Sequence, residues 1–165
     1  MHCEFAAVVQ VIGEAQPLTI FAVVKADRYT DGSFNYEGTV LTNYPPTFKL
    51  GGTIQPGPSL TWALNAGTKL TSAAFSNVDW VKPRVLTAIY NAGTSIMRVD
   101  GNDATAQTGA GGSSPLATSF ILGNDGNPLN SLQGDVGELV VYGRVLTTQE
   151  RSAVETSLKA KWNIP

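Results

Sequence analysis

Helical periodicity is confined to the end of this chain, and this restricts the available folds more than any other feature. A helix is predicted over about residues 147–162. Its apolar stripe, one residue in every four, consists of Val154, Leu158 and Trp162. Nothing between Phe5 and Leu132 has the helical period, so a parallel sheet, which needs helical crossovers between its strands, is not expected.

Two pairs of polar side chains refine the prediction for this helix. Thr147 and Glu150 have capping-box spacing, in which each side chain bonds to the backbone N–H of the other residue, and they mark the start. Glu155 and Lys159 stand four residues apart and are expected to pair on the solvent side. The helix should therefore lay its apolar stripe on a sheet.

The rest of the chain consists of short β-branched and apolar segments with turn signals about every ten residues. Strands are predicted at Phe5–Ile12, Leu18–Val24, Val40–Thr42, Phe48–Leu50, Ser59–Leu64, Arg84–Tyr90, Ser95–Val99 and Gly134–Tyr142. Residues 91–94 form the best hairpin signal, and Asp100-Gly101 predicts a second turn. The low-complexity segment 105–114 is predicted to be a loop or a weak edge strand. This pattern predicts an all-β sandwich or barrel with one C-terminal helix.

Composition narrows the function classes. A chain of 165 residues suits one domain over residues 1–165. A formal net charge of -2 gives no reason to expect nucleic acid or an anionic membrane as partner. No apolar run approaches the roughly 20 residues of a membrane helix, and no targeting signal is predicted. One cysteine, Cys3, and one histidine, His2, allow neither an internal disulfide nor a zinc cluster.

The residues also argue against catalysis. Hydrolysis of a glycosidic bond needs two carboxylates about 5 to 10 Å apart. Glu138 is the only glutamate in a strong predicted strand, and it is expected to be structural, paired with Arg144 or a backbone amide. His2 lies at a terminus and is a poor candidate for the base of a Ser-His-Asp triad. We therefore expect a protein that is not an enzyme.

The segment GDVGELVVYGRVLTTQERSAVETSLKAKWNI, residues 134–164, resembles the closing part of laminin-G-like, or concanavalin A-like, jelly-roll domains. The match rests on a Gly-Asp before the last strand, a Tyr and an Arg-x-Leu before the helix, and a Lys-Trp at its end. Weaker likenesses occur at Gln16–Lys25 and Arg98–Gly101. The resemblance implies an antiparallel two-sheet jelly-roll sandwich that binds sugars or proteins, in some members with calcium.

The resemblance also implies a setting. Such domains act outside cells or on virus particles, in the tail, fibre and head-decoration proteins of bacteriophages. Catalytic members place their acids as Glu-x-Asp-x-x-Glu on one strand, and this chain has no such run. Fewer residues precede the Gln16 strand than such domains usually have. The outer strands are either dispensable or supplied by a neighbouring subunit, and the second alternative predicts a homo-oligomer.

A sugar site needs aromatic faces to stack on pyranose C–H groups, and amide or carboxylate groups to bind hydroxyls. The candidate ligand-binding residues are Tyr29, Phe34, Asn35, Tyr36, Tyr44 and Trp80. Trp62 and Trp162 stand in patterned elements and are expected in the core, while Trp80 fits either role.

Calcium requires clustered oxygen ligands. The candidate metal ligands are Asn124, Asp125, Asn127 and Asp135. A second candidate set is Asp100, Asn102 and Asp103. The alternative is that these Asn and Asp residues are turn residues, because they tolerate left-handed backbone angles.

Two functions suit these observations. The first is a lectin-like module that binds a glycan or host surface as a decoration or adhesion protein of a phage or other extracellular particle. The second is a structural virion protein of capsid or tail that holds neighbouring proteins and binds no sugar. A glycan-cleaving enzyme is the least favoured function, because the acid pair is missing.

Overall fold

The computed structural model describes residues 8–10, 16–26, 36–42, 48–54, 60–66, 69–72, 82–103, 107–108, 119–123, 132 and 134–165. The strands are β1 (Val8–Gln10), β2 (Leu18–Ala26), β3 (Tyr36–Thr42), β4 (Phe48–Ile54), β5 (Leu60–Ala66), β6 (Lys69–Ser72), β7 (Arg84–Tyr90), β8 (Ile96–Val99), β9 (Asn102–Asp103), β10 (Gln107–Thr108), β11 (Ser119–Leu122) and β12 (Gly134–Tyr142). The helix, α1, spans Thr148–Lys161, and a short 3-10 turn spans Ala92–Thr94.

These strands form two antiparallel sheets. The seven-stranded sheet has the order β1-β11-β3-β4-β5-β6-β10, and the five-stranded sheet has the order β12-β2-β7-β8-β9. Every described pairing is antiparallel. The predicted all-β, two-sheet architecture with one C-terminal helix is therefore confirmed.

Alternation along β2 explains why both faces of the five-stranded sheet are covered. Successive side chains of a strand point to opposite faces. Leu18, Ile20 and Ala22 belong to the core between the two sheets, with Leu41 and Leu50 of the opposite sheet. The residues between them in β2 face away from this core and towards the helix. Because it is buried on both sides, β2 is almost continuously apolar.

The helix packs on the outer face of the five-stranded sheet. Leu158 is 5% exposed and packs in one cluster with Phe21 and Val85, while Val154 and Trp162 are partly buried against the same cluster. The predicted stripe is therefore confirmed. The capping box is also present, since the Thr147 hydroxyl accepts from the Glu150 N–H and the Glu150 carboxylate accepts from the Thr147 N–H.

The prediction that Glu155 pairs with Lys159 in solvent is wrong. Glu155 is 3% exposed, and its Oε1 accepts hydrogen bonds from Thr87 Oγ1 at 2.8 Å and Arg98 Nε at 3.0 Å. Position 155 precedes Leu158 by three residues and so shares its helix face. Thr87 and Arg98 are paired neighbours on β7 and β8, and they supply the polar partners that a buried carboxylate requires.

Both predicted hairpin turns are present. The 3-10 turn 92–94 joins β7 to β8. Asp100 and Gly101, with φ of 52° and 85°, join β8 to β9. Positive φ at both central residues is the type I′ geometry that Asp-Gly favours, because it matches the right-handed twist of the strands.

Several strand boundaries differ from the prediction. β3 begins at Tyr36, four residues before the predicted start at Val40, and β6 was not predicted. Within the low-complexity segment, residues 107–108 form β10 at the edge of the seven-stranded sheet, as the weak-edge alternative predicted. Among the described residues, no helix is long and apolar enough to cross a membrane.

Candidate functional site

One end of the sandwich gathers most of the connections in which the sequence predicts binding residues. β2 ends at Ala26, directly opposite Gly134 at the start of β12. The connection 27–35 leaves β2 at this point and enters β3 at Tyr36. We call this end of the sandwich, where β2 ends and β12 begins, the loop end.

A second connection begins and ends at the loop end. The Gly123 N–H, just after β11, donates to the Val40 carbonyl at 3.0 Å. The Leu132 N–H donates to the Gly123 carbonyl at 2.8 Å, and β12 begins two residues later. These bonds join the end of β11 in one sheet to the start of β12 in the other. The connection 124–131 is therefore anchored at the loop end on both sides.

A third connection and one hairpin lead to the same end. The connection 73–83 enters β7 at Arg84, which pairs with Val24 near the end of β2. The hairpin turn between β8 and β9 lies beside it, since the Asp100 N–H donates to the Val85 carbonyl at 2.8 Å. The loop end thus gathers connections from both sheets.

Most of the predicted site residues lie outside the described residues: Tyr29, Phe34, Asn35, Tyr44, Trp80, Asn124, Asp125 and Asn127. The strands that flank them show which connections the fold brings together. The connections that contain Tyr29 and Trp80 start or end at the loop end. Tyr44 follows β3, whose last residue Thr42 pairs with Lys49 at the end of β3 away from Tyr36. Tyr36 opens β3 opposite Ile54, at the loop end.

Asp135 is the described member of the first calcium candidate. Its side chain is 70% exposed, and its Oδ2 lies 3.3 Å from the Nζ of Lys25, which pairs with it across β12 and β2. A cation bound to Asp135 would have to share the carboxylate with the ammonium group of Lys25. The described residues contain no group of three or more His, Cys, Asp and Glu side chains that could hold a metal ion.

The second calcium candidate has the contacts of a structural turn. The Asp100 carboxylate accepts from Arg84 Nη1 at 3.0 Å and from the Val85 N–H at 2.9 Å. The Asp103 carboxylate accepts from Arg98 Nη1. These donors occupy oxygens that a cation would need, and Asp100 has a left-handed φ. The arrangement therefore fits the turn alternative.

Glu138 is held in a structural contact, but not with the predicted partner. Its Oε2 accepts from Trp162 Nε1 at 2.8 Å and lies 2.9 Å from Lys161 Nζ. The hydrogen bond from Trp162 and, to a smaller extent, the contact with Lys161 lower the pKa of the Glu138 carboxyl. Glu138 therefore links β12 to the end of α1.

Arg144, the partner predicted for Glu138, pairs with Glu150 instead. The Arg144 Nη2 and Nη1 atoms lie 2.7 Å and 2.9 Å from the two Glu150 oxygens. This bond and those from Thr147 lower the pKa of Glu150 to about 2. Glu138 thus fastens the helix to the sheet, and Glu150 caps the start of the helix.

The sequence prediction missed Arg98, whose guanidinium joins three elements. Besides Glu155 on α1, it donates to Asp103 on β9 and to the Gly101 carbonyl in the turn. The signal that could have found it is the pairing of β2, β7 and β8, which places Thr87 and Arg98 in one row with Phe21 on the outer face of the sheet. A buried arginine needs a carboxylate, and Glu155 is the glutamate on the inner helix face.

Comparison with solved structures identifies the fold. A heptameric SAP-like pentraxin from Limulus polyphemus matches 94% of this chain at 14% identity, with a TM-score of 0.71. Domains LG4-5 of the mouse laminin alpha1 chain match 87% at 18% identity, with a TM-score of 0.54. A Trypanosoma rangeli sialidase, solved in complex with sialic acid, matches 87% at 17% identity, with a TM-score of 0.60.

These matches show an antiparallel jelly-roll sandwich of the concanavalin A-like type. The similarity to laminin G domains is therefore confirmed for the fold. This chain spans 77% of the pentraxin chain, 40% of the laminin chain and 23% of the sialidase chain. No protein-family model matches the sequence, and no curated protein matches it.

Proposed function

We propose that this protein is a non-catalytic binding module whose ligand site is the loop end, and that the ligand is a glycan. One observation carries the proposal. The connections 27–35, 73–83 and 124–131, which contain most of the predicted binding residues, are anchored on strands that start or end at the loop end. Residues that are far apart in the sequence can therefore face one ligand.

The residue types at the loop end favour a glycan. Tyr29, Phe34, Tyr36 and Trp80 offer aromatic faces for sugar C–H groups, and Asn35 offers an amide for hydroxyls. The described rim contains two opposite-charge pairs, Lys25–Asp135 and Arg84–Asp100. Such balanced charge suits a ligand bound by stacking and hydrogen bonds. The sialidase was solved with sialic acid, so sialylated glycans belong among the ligands tested.

The absence of hydrolysis is part of the proposal. Glu138, the acid with the best strand position, is engaged by Trp162 and Lys161 on the outer face of the sheet. Since this chain spans 23% of the sialidase chain, that enzyme's activity is not carried over. We expect no release of sugar from any glycan that the protein binds.

We further propose that the module acts on the surface of a phage or another extracellular particle, as a decoration or adhesion protein. The support is the resemblance of residues 134–164 to modules of such particles. The alternative is a structural virion protein that binds neighbouring subunits and no sugar. The SAP-like pentraxin, which has a similar fold, is heptameric, so self-association is an alternative that can be measured.

A glycan array and light scattering on the same purified protein test the proposal. Binding of a defined glycan class, lost in Tyr36→Ala and Trp80→Ala variants that keep the circular dichroism spectrum of the wild type, would support it. An oligomer that binds no glycan would favour the structural alternative. Release of free sugar would contradict the non-catalytic role.

A further inference from the structure

We propose that the edge of β12 that faces away from β2 is an interaction surface, and that it pairs with the same edge of a second copy of this chain. The two five-stranded sheets would then form one continuous ten-stranded sheet. The proposal concerns how copies of the chain associate, so it goes beyond the glycan site and does not depend on it.

The two edges of the five-stranded sheet differ in length and chemistry. In the described part of the chain, the edge strands are β9 and β12. β9 consists of Asn102 and Asp103, and both residues are polar and exposed. β12 has nine residues and contains neither lysine nor proline. Natural edges are protected by shortness, by charge or by proline, so β9 is a protected edge, whereas β12 is long enough to pair.

β12 also carries apolar side chains that stay partly exposed. Five of them pack on one face of the sheet or the other and are only half-buried: Val136, Leu139, Val140, Val141 and Tyr142. By contrast, residues 18–24 of the neighbouring strand β2 are at most 2% exposed. A further strand beside β12 would remove this apolar surface from water, which favours association.

The two carboxylates of β12 do not protect its edge. The Asp135 Oδ2 lies 3.3 Å from the Nζ of Lys25 on β2, so this charge is directed towards the sheet. The Glu138 Oε2 accepts from Trp162 Nε1 at 2.8 Å and lies 2.9 Å from Lys161 Nζ. Both negative charges are therefore compensated within the chain, and neither has to be neutralised by a strand that pairs with β12.

The side-chain order of β12 favours a second copy as the occupant. The bulge near its start leaves Glu138–Tyr142 as the regular run, with Val140 at the centre. If two antiparallel copies are related by a two-fold axis through Val140, Leu139 of each lies opposite Val141 of the other. The end residues then place a carboxylate opposite a phenol, so no like charges meet. The run is therefore complementary to itself on both faces of the sheet.

Light scattering of the full chain over a dilution series tests the proposal. We expect the wild type to reach twice its chain mass of 17.4 kDa. Val140→Lys and Val140→Glu each place like charges opposite one another, so each should raise the dimer dissociation constant at least about a hundredfold. An equimolar mixture of the two variants should dimerise again, because opposite charges then meet. Asn102→Lys, on the other edge of the sheet, is the matched control and should dimerise as the wild type does.

Three results would overturn the proposal. One is a wild type that stays monomeric at every concentration, which would include the case of a segment of the same chain occupying the edge. Another is a dimer that the two Val140 variants leave as stable as the control does. The third is a mixture of folded Val140 variants that stays monomeric, since the proposed register brings their charges together.

A second variant keeps the test valid if a charge at Val140 disturbs the fold, because this side chain packs against the helix cluster. Val140→Cys is close in size to the wild type, and in a Cys3→Ser background it leaves one thiol per chain. Facing residues of antiparallel strands have Cβ atoms about 4.5–5.5 Å apart, close to disulfide range. Mild oxidation should therefore give a covalent dimer with Val140→Cys and none with Asn102→Cys. No cross-link at position 140 would overturn the proposed register, while glycan binding would remain to be judged by the array.

Discussion

Gly137 is the position where one methyl group should most clearly disturb the joint between the sheet and the helix. It lies in β12 at a register shift between Val136 and Glu138, so no residue of β2 pairs with it. A Cβ built there would lie 2.6 Å from Cη2 of Trp162, and 2.9 Å from two further ring carbons. Gly137 has no left-handed φ, so the backbone itself accepts alanine.

The size of the effect follows from these distances. Carbon atoms pack at about 3.5–4.0 Å, so the Trp162 ring, which donates a hydrogen bond to Glu138, would have to move by roughly 1 Å. Overpacking of this kind costs about 1–3 kcal/mol. Replacement of a strand glycine by alanine returns roughly 0.5–1 kcal/mol of backbone entropy. We therefore expect Gly137→Ala to lower the free energy of unfolding by about 1–2 kcal/mol.

A double-mutant cycle with Trp162→Ala isolates the contact. In that background the clash is gone, so Gly137→Ala should be neutral or stabilising by up to roughly 1 kcal/mol. Urea unfolding gives the four free energies, and at this chain length 1 kcal/mol corresponds to about 2–4 °C in Tm. Equal destabilisation by Gly137→Ala in both backgrounds would refute the packing of Trp162 on Gly137.

Three further predictions concern the helix. Glu155→Ala should lower the free energy of unfolding, measured by urea, by about 3–5 kcal/mol, because it leaves the buried Arg98 without its carboxylate. The double variant Glu155→Leu with Arg98→Met should recover most of this loss, and no recovery would contradict the buried pairing of Glu155 with Arg98. Leu158→Ala should cost about 2–4 kcal/mol in the same assay, whereas a cost below about 1 kcal/mol would show that the helix does not pack there. The Glu150 pKa, about 2 in the folded chain against 4.5 ordinarily, is lowered, so the stability this carboxylate provides is present above pH 4.5 and is lost as the pH falls towards 2. The Tm difference between wild type and Glu150→Gln should therefore shrink over that range, and a constant difference would contradict the Arg144 and Thr147 contacts.

The local patterns of the sequence were sufficient to predict the architecture. β-Branched runs, Asp-Gly at a type I′ turn and the Thr147–Glu150 capping box all specify backbone geometry within a few residues, and the structure contains each of them. Tyr36 and β6 were missed because their strand conformation comes from pairing with β4 and β5, which local propensity does not report.

The polar contacts could not be predicted from spacing along the chain. Glu155 and Lys159 have the spacing of a surface pair, but Glu155 faces Arg98 in the folded sheet, 57 residues away in sequence. Glu138 likewise selects Trp162 and Lys161 over the nearer Arg144. A long-range partner wins in each case because a buried or half-buried carboxylate needs donors that the fold brings to it.

The same reasoning separates the candidate binding residues. Tyr44 and Trp80 are both aromatic, and both lie next to turn residues in the sequence. Only the strand register distinguishes them, since the connection after Thr42 leaves the end of β3 away from Tyr36, whereas the connection before Arg84 enters β7 opposite Val24, near the end of β2. Sequence patterns indicate the chemistry of the candidate residues, and topology decides which of their connections lie near one another.

The most direct test of the loop-end site is a calorimetric titration of the array-selected glycan into wild type, Trp80→Ala and Tyr44→Ala. All three proteins should first show the same unfolding midpoint within error. The loop-end site predicts that Trp80→Ala weakens binding at least tenfold, about 1.4 kcal/mol, while Tyr44→Ala binds as the wild type does. Loss of binding in Tyr44→Ala with full binding in Trp80→Ala would contradict it.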